Sequence, residues 1–158
     1  MEATVCRKRP GHAALRRGRS SCAGQIYHLT VTTKTRVPIF RHFEAACAAS
    51  RCFQDKGALG DATLMAWVLM PDHAHWLLQL GEQHSLPGVV NRLKSASARS
   101  VNAVLGRTGP IWNRAFHDHA VRSDEDARVI ARYIIANPVR AGLVSHVGHY
   151  PFWNAVWL

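Results

Sequence analysis

The sequence predicts an α+β fold: a mostly antiparallel sheet with helices packed on it, close to the split βαβ, ferredoxin-like arrangement. Three observations carry this. Segments with two-residue periodicity alternate with helical ones in the order β-α-β-β-α-β-α. Two of the strands are separated only by Pro71-Asp72, a turn that sends the chain straight back alongside itself. The chain has 158 residues, is 47% hydrophobic and shows no internal repeat, so one core and one domain are expected.

Residues 1–24 are rich in Arg, Gly and Ser and lack periodicity, which predicts a flexible basic arm ahead of a single domain over 25–158. Gln25–Thr33 alternates polar and apolar around β-branched Ile26, Thr30 and Val31, as a strand does. After a turn at Val37-Pro38, Phe40–Lys56 has helical spacing through Phe43, Ala46, Cys47 and Ser50, and Gly57 and Gly60 stop it. Ala62–Met70 is apolar on both faces and reads as a central strand, with His73–Leu80 returning beside it. Ser85–Leu105 is a second helix, with Leu86, Val89, Val90 and Leu93 inward and Arg92, Lys94 and Arg99 around its polar side. Ile111–Arg122 reads as a further strand. Ser123–Asp126 has the form of a capping box opening a third helix, which Pro138 ends near Asn137.

Twenty Lys and Arg against ten Asp and Glu give a formal charge of +10. Six of the basic residues, Arg7, Lys8, Arg9, Arg16, Arg17 and Arg19, lie in the predicted arm. Arg predominates over Lys, and a guanidinium grips phosphate as a planar fork, so a nucleic-acid partner is favoured over a merely solubilising charge. No run approaches the roughly 18 apolar residues of a membrane span, and the basic first 20 residues lack the apolar stretch of a secretory signal. A cytoplasmic protein with no membrane partner is expected. The four cysteines have no zinc-finger spacing, and reduced thiols are expected.

His73-Ala74-His75 follows the Pro71-Asp72 turn. Residues two apart on a strand share a face, so two imidazoles would project together as half of a transition-metal site. His117-Asp118-His119 has the same spacing, and with ten histidines such pairs also arise by chance. There is no Gly-x-Ser-x-Gly elbow and no phosphate-binding Gly-rich loop. Tyr133 and Asn137 are four apart on the third helix and share a face at the border of its apolar stripe. Spacing alone leaves open whether they are a boundary aromatic and a helix end or functional groups.

Several stretches together resemble a known family. They are Tyr27-His28-Leu29-Thr30, Arg36-Val37-Pro38-Ile39-Phe40, the run from Ala66 to His75, the run from Ile111 to Arg122, and Tyr133 to Val144 followed by Tyr150-Pro151-Phe152. From Tyr27 to about Trp153 the chain is similar to the REP-associated tyrosine transposases, a class of HUH single-strand DNA endonucleases. The resemblance implies the HUH endonuclease fold. It makes His73 and His75 the metal pair, Asn137 the residue that completes the metal site, and Tyr133 the nucleophile. His117 and His119 match a variable position.

The implied activity is metal-dependent cleavage and rejoining of hairpin-forming repetitive extragenic palindromic DNA through a 5′-phosphotyrosine, with Mg2+ or Mn2+ as cofactor. Single-stranded or hairpin DNA is the implied partner, bound in the bacterial cytoplasm by a monomer or homodimer. The arm, together with Arg92, Lys94, Arg99, Arg114, Arg122 and Arg140, would hold the DNA backbone. Trp112 and Phe116 would stack bases or belong to the core. A non-catalytic DNA- or RNA-binding module descended from a transposase is the alternative, and a metal-dependent hydrolase using water a third reading.

Overall fold

The computed structural model describes residues 21–122 and 125–157. Its strands are β1 (Ile26–Thr32), β2 (Thr63–Met70), β3 (His73–Gln79), β4 (His117–Ala120) and β5 (Trp153–Ala155). Its helices are α1 (Phe43–Cys52), α2 (Lys56–Leu59), α3 (Leu86–Leu105), α4 (Ala127–Ile135) and α5 (Asn137–Arg140). The strands form one sheet in the order β4-β1-β3-β2-β5, and every neighbouring pair is antiparallel. β1 and β2 therefore run parallel with β3 inserted between them, which is the split βαβ arrangement that the element order predicts.

Strand alternation sorts the two faces of this sheet. Tyr27, Leu29 and Val31 of β1, Trp67 and Leu69 of β2, and Ala74, Trp76 and Leu78 of β3 are buried in one cluster with the apolar stripes of α1 and α3. Phe53, just past α1, meets Trp67 and Trp76 edge-on, at centroid distances of 5.3 and 5.1 Å. The other phase supplies Ala66, Val68, Met70 and Leu77, which pack with Ala131 and Ile134 of α4 in a second cluster. Two helical layers thus enclose the sheet, and β2 is buried on both faces along most of its length.

Several predicted elements change. The helix expected over Phe40–Lys56 is a 3-10 turn, Ile39–Arg41, followed by α1 and then α2. Phe40 donates its amide to the Pro71 carbonyl, which holds it out of the helix, and Asp55 caps α2 through the Gly57 amide. The strand expected over Ile111–Arg122 shrinks to β4, preceded by a single bridge between Thr33 and Trp112. Of the expected capping box, Ser123 and Asp124 lie outside the described residues. The observed N-cap of α4 is Asp126, which accepts from the Arg128 amide. Pro138 does not end the helical segment: it sits in the first turn of α5, where a proline lacks no needed donor.

Of the predicted arm, residues 1–20 lie outside the described residues, including all six of its basic residues. Residues 21–24 are tied to the fold: Ser21 Oγ accepts from the Leu86 amide, the Cys22 amide donates to Tyr27 Oη, and the Gly24 amide donates to Leu80 O. The expectation of reduced thiols is corrected at Cys22, which is disulfide-bonded, while Cys47 and Cys52 are free. Among the described residues no helix is long and apolar enough to cross a membrane.

Candidate metal and tyrosine site

β3 carries Ala74, Trp76 and Leu78 into the α1/α3 core, so His73 and His75 point to the opposite face, the one that α4 covers. Their rings lie 5.0 Å apart and nearly perpendicular. Each is held through Nδ1. His73 Nδ1 is 2.7 Å from Asp72 Oδ1, and Asp72 Oδ2 in turn takes Arg36 Nε at 3.1 Å. His75 Nδ1 lies 3.1 Å from Thr30 Oγ1 and 3.2 Å from His28 Nε2. Thr30 and His28 are on β1, in the phase facing the same side, and Thr30 is the direct cross-strand partner of His75. With both Nδ1 atoms engaged, the two Nε2 atoms are the positions left for a ligand.

Burial, reinforced by His73, His28 and Arg140, lowers the pKa of His75 to about 3, so its imidazole is neutral at physiological pH. Metal coordination requires that form. Burial, and then His119, also lowers that of His28.

Tyr133 is 50% exposed on α4. The guanidinium of Arg140, on α5, stacks on its ring with Cζ 4.0 Å from the centroid. The charge of the same Arg140 bears on His75. Tyr133 and Arg140 thus lie together, and Arg140 is near enough to His75 for its charge to be felt there. Asn137 opens α5, and its Nδ2 donates back to the carbonyls of Tyr133 (3.2 Å) and Ile134 (2.9 Å). Its side-chain carbonyl oxygen is the atom able to ligate a metal.

Among the described residues no three His, Cys, Asp or Glu side chains are arranged to hold a metal. Two imidazoles presenting Nε2, with an amide oxygen on the neighbouring helix, fit a divalent ion that completes its shell with water or phosphate oxygens.

The remaining predicted residues divide. Lys94 does not face solvent: it is 7% exposed, and Nζ donates to the carbonyls of Asn113, Arg114 and Ala115 at 2.8, 3.2 and 3.1 Å. Arg92 donates to Gly57 O, tying α3 to α2, while Arg99 is exposed. Both belong to the α1/α3 layer, across the sheet from the histidines. Arg114 and Arg122 are exposed on the segments flanking β4. Trp112 and Phe116 are buried, Trp112 donating Nε1 to Ser97 Oγ, so both are core. His117 and His119 pair with Thr30 and His28 and so share the face of the histidine pair, at the sheet edge, with His119 bound to Glu125.

Arg36, Asp72, His28 and Thr30 were not singled out by sequence reasoning. Strand alternation on β1 was the available signal for His28 and Thr30, and adjacence to His73 that for Asp72. Thr35 and Arg36 have φ of 53° and 59°, two successive non-glycine residues in the left-handed region. Each costs about 1–3 kcal/mol, and sequence carries no sign of it.

An antiparallel sheet bearing a same-face histidine pair on a central strand, beneath a helix that presents a tyrosine, defines the HUH class of fold. Residues 21–137 match the family described as Transposase IS200 like, and the chain belongs to that family. It is 33% identical over 89 residues to the REP-associated tyrosine transposase of Escherichia coli (strain K12), covering 55% of this chain and 50% of that one. It is 28% identical over 126 residues to the ISDra2 transposase TnpA of Deinococcus radiodurans, covering 76% and 89%. A solved REP-associated tyrosine transposase bound to a REP hairpin superposes with a TM-score of 0.66 at 25% identity, covering 86% of this chain and 79% of that one. The chain spans about half the length of the Escherichia coli relative.

Proposed function

We propose that this chain is a metal-dependent single-stranded DNA endonuclease and transposase that cleaves and rejoins hairpin-forming repetitive extragenic palindromic DNA. The observation that carries the proposal is the Arg140 guanidinium stacked on the exposed Tyr133 ring while its charge also acts on the neutral His75. It supports reading Tyr133 as the nucleophile, with Arg140 as the nearby cation and His73 and His75 as half of a metal site. Similarity to a transposase solved with a hairpin supports the choice of DNA form.

In the proposed reaction, Tyr133 Oη attacks the scissile phosphorus and the bond to the 3′ oxygen breaks. The products are a 5′-phosphotyrosine and a free 3′-hydroxyl, and the phenolic proton ends on the leaving oxygen or in solvent. A later 3′-hydroxyl attacks the phosphotyrosine and restores the phenol. Arg140, in contact with the ring, steadies negative charge as it develops on Oη and the phosphate. His73 and His75 through Nε2, with Asn137 through its amide oxygen, would hold Mg2+ or Mn2+, which when bound supplies Lewis-acid polarisation of the phosphate. Arg114 and Arg122 hold the strand near β4, with the arm's basic residues as further contacts. The protein acts on nucleoid DNA in the bacterial cytoplasm, as a monomer or homodimer.

The test is incubation of a labelled single-stranded hairpin oligonucleotide with Mn2+ or Mg2+, followed by a denaturing gel. Wild type forms a covalent protein–DNA adduct, whereas Tyr133→Phe forms none and still binds the hairpin. Cleavage that survives Tyr133→Phe, or that occurs without an adduct, assigns the nucleophile to water. Binding without cleavage by wild type makes the chain a DNA-binding module.

A further inference from the structure

We propose that Arg36 and Asp72 are positioning residues that fix the tautomer and ring orientation of His73 through a relay, guanidinium to carboxylate to Nδ1. This inference rests on the metal site proposed above and extends it outward by two residues.

A carboxylate only accepts hydrogen bonds, so a nitrogen held 2.7 Å from Asp72 Oδ1 is the one that carries the proton. The lone pair of His73 is then on Nε2. The second carboxylate oxygen is engaged by Arg36 Nε, which sets the rotation of the Asp72 side chain and, through it, the plane of the imidazole. An anionic partner on the far nitrogen also makes Nε2 a stronger donor to a cation. The two histidines are therefore supported unequally: His75 has the neutral partners Thr30 and His28, and His73 has a charged relay.

The backbone shows what it takes to deliver Arg36. The loop is bolted to the turn before β3 from both sides. The Thr33 amide and Oγ1 both donate to Asp72 O, Thr33 Oγ1 also reaches Val37 O, and the Phe40 amide donates to Pro71 O. Between these fixed points the chain passes through Thr35 and Arg36, both left-handed, where glycine would sit without strain. The chain instead carries an arginine at a strained position, and its guanidinium meets Asp72. Strain retained at a side chain that contacts a site is a mark of a positioning role.

Arg36→Gly provides a clean probe, because glycine relieves the backbone strain while removing the guanidinium. The full chain is titrated with Mn2+ alone, free ion being read by electron paramagnetic resonance. The tautomer of His73 is read in the metal-free protein by proton–nitrogen correlation NMR. Expected are a wild-type His73 protonated at Nδ1 and a Mn2+ affinity about 10–100-fold weaker in Asp72→Ala. Arg36→Gly should show a smaller loss of Mn2+ affinity in the same direction with an unchanged or higher melting temperature, and Arg36→Lys partial recovery. Metal-free hairpin binding stays within about twofold throughout. A wild-type His73 protonated at Nε2 overturns the relay, as do variants of Arg36 and Asp72 with wild-type Mn2+ affinity. Failure of the underlying metal site looks different: wild type and His73→Ala then bind Mn2+ equally poorly, while His73 still reports Nδ1 protonation.

Discussion

Lys94 shows how a single residue can escape a helical wheel. Periodicity put it between Arg92 and Arg99 on a polar side, yet its stem runs inward and its ammonium collects three backbone carbonyls, with the Phe116 ring 5.4 Å away. A wheel reports which side a Cβ leaves from. It cannot report that a four-carbon stem bends to satisfy carbonyls the sheet has left unpaired. Lys94→Met keeps the stem and removes the donors, stranding those carbonyls, and should cost about 1–3 kcal/mol of stability by urea unfolding. Hairpin affinity and its salt dependence should not change; a stable Lys94→Met protein with weakened DNA binding would contradict the buried role. The histidine pair was legible for the opposite reason, since strand alternation decides orientation outright once the inward residues are as apolar as Ala74 and Trp76. Tyr133 was singled out only through family resemblance. Its partner Arg140 lies seven residues on, a helical same-face spacing, but across the break at Ala136 between α4 and α5.

At the scale of elements, the misread segments are those where side chains capture the backbone. The ladder expected over Ile111–Arg122 cannot form through Asn113–Ala115, because three successive carbonyls converging on one ammonium cannot alternate as a strand requires. β5 escaped notice because three residues, Trp153–Ala155, are too few to display a period. It is held to β2 partly from outside the ladder: Tyr150 Oη donates to Leu69 O at 2.6 Å and the Leu69 amide donates to Phe152 O at 2.9 Å. Burial raises the Tyr150 pKa from the usual 10.0 to about 12. The native state therefore keeps a proton that the unfolded chain releases. The associated stability is complete below about pH 10 and is lost as pH rises through that value toward about 12. Wild type should lose more stability across this interval than Tyr150→Phe, as read from melting temperatures at each pH. Parallel losses in the two proteins would remove Tyr150 from the alkaline transition.

For the whole molecule, the sheet separates basic residues of the described part into two layers. Arg140 lies with Tyr133 and His75 on the α4 side, whereas Arg99 is exposed on α3, on the other side of the sheet. A strand lying in the site cannot touch Arg99 without passing around a sheet edge, and β4, with all four residues exposed, is one of the two edges. The two arginines should therefore fail differently. Arg140→Gln should slow cleavage even at saturating hairpin DNA, since its cation bears on the reacting groups. Arg99→Gln should leave that saturated rate intact. If the hairpin does wrap to the α3 layer, the plot of log affinity against log salt for Arg99→Gln becomes shallower by about 0.7–0.9, the value of one released counterion contact. An unchanged slope confines DNA to the α4 face, and a slowed rate at saturation would show that the sheet does not separate binding from chemistry.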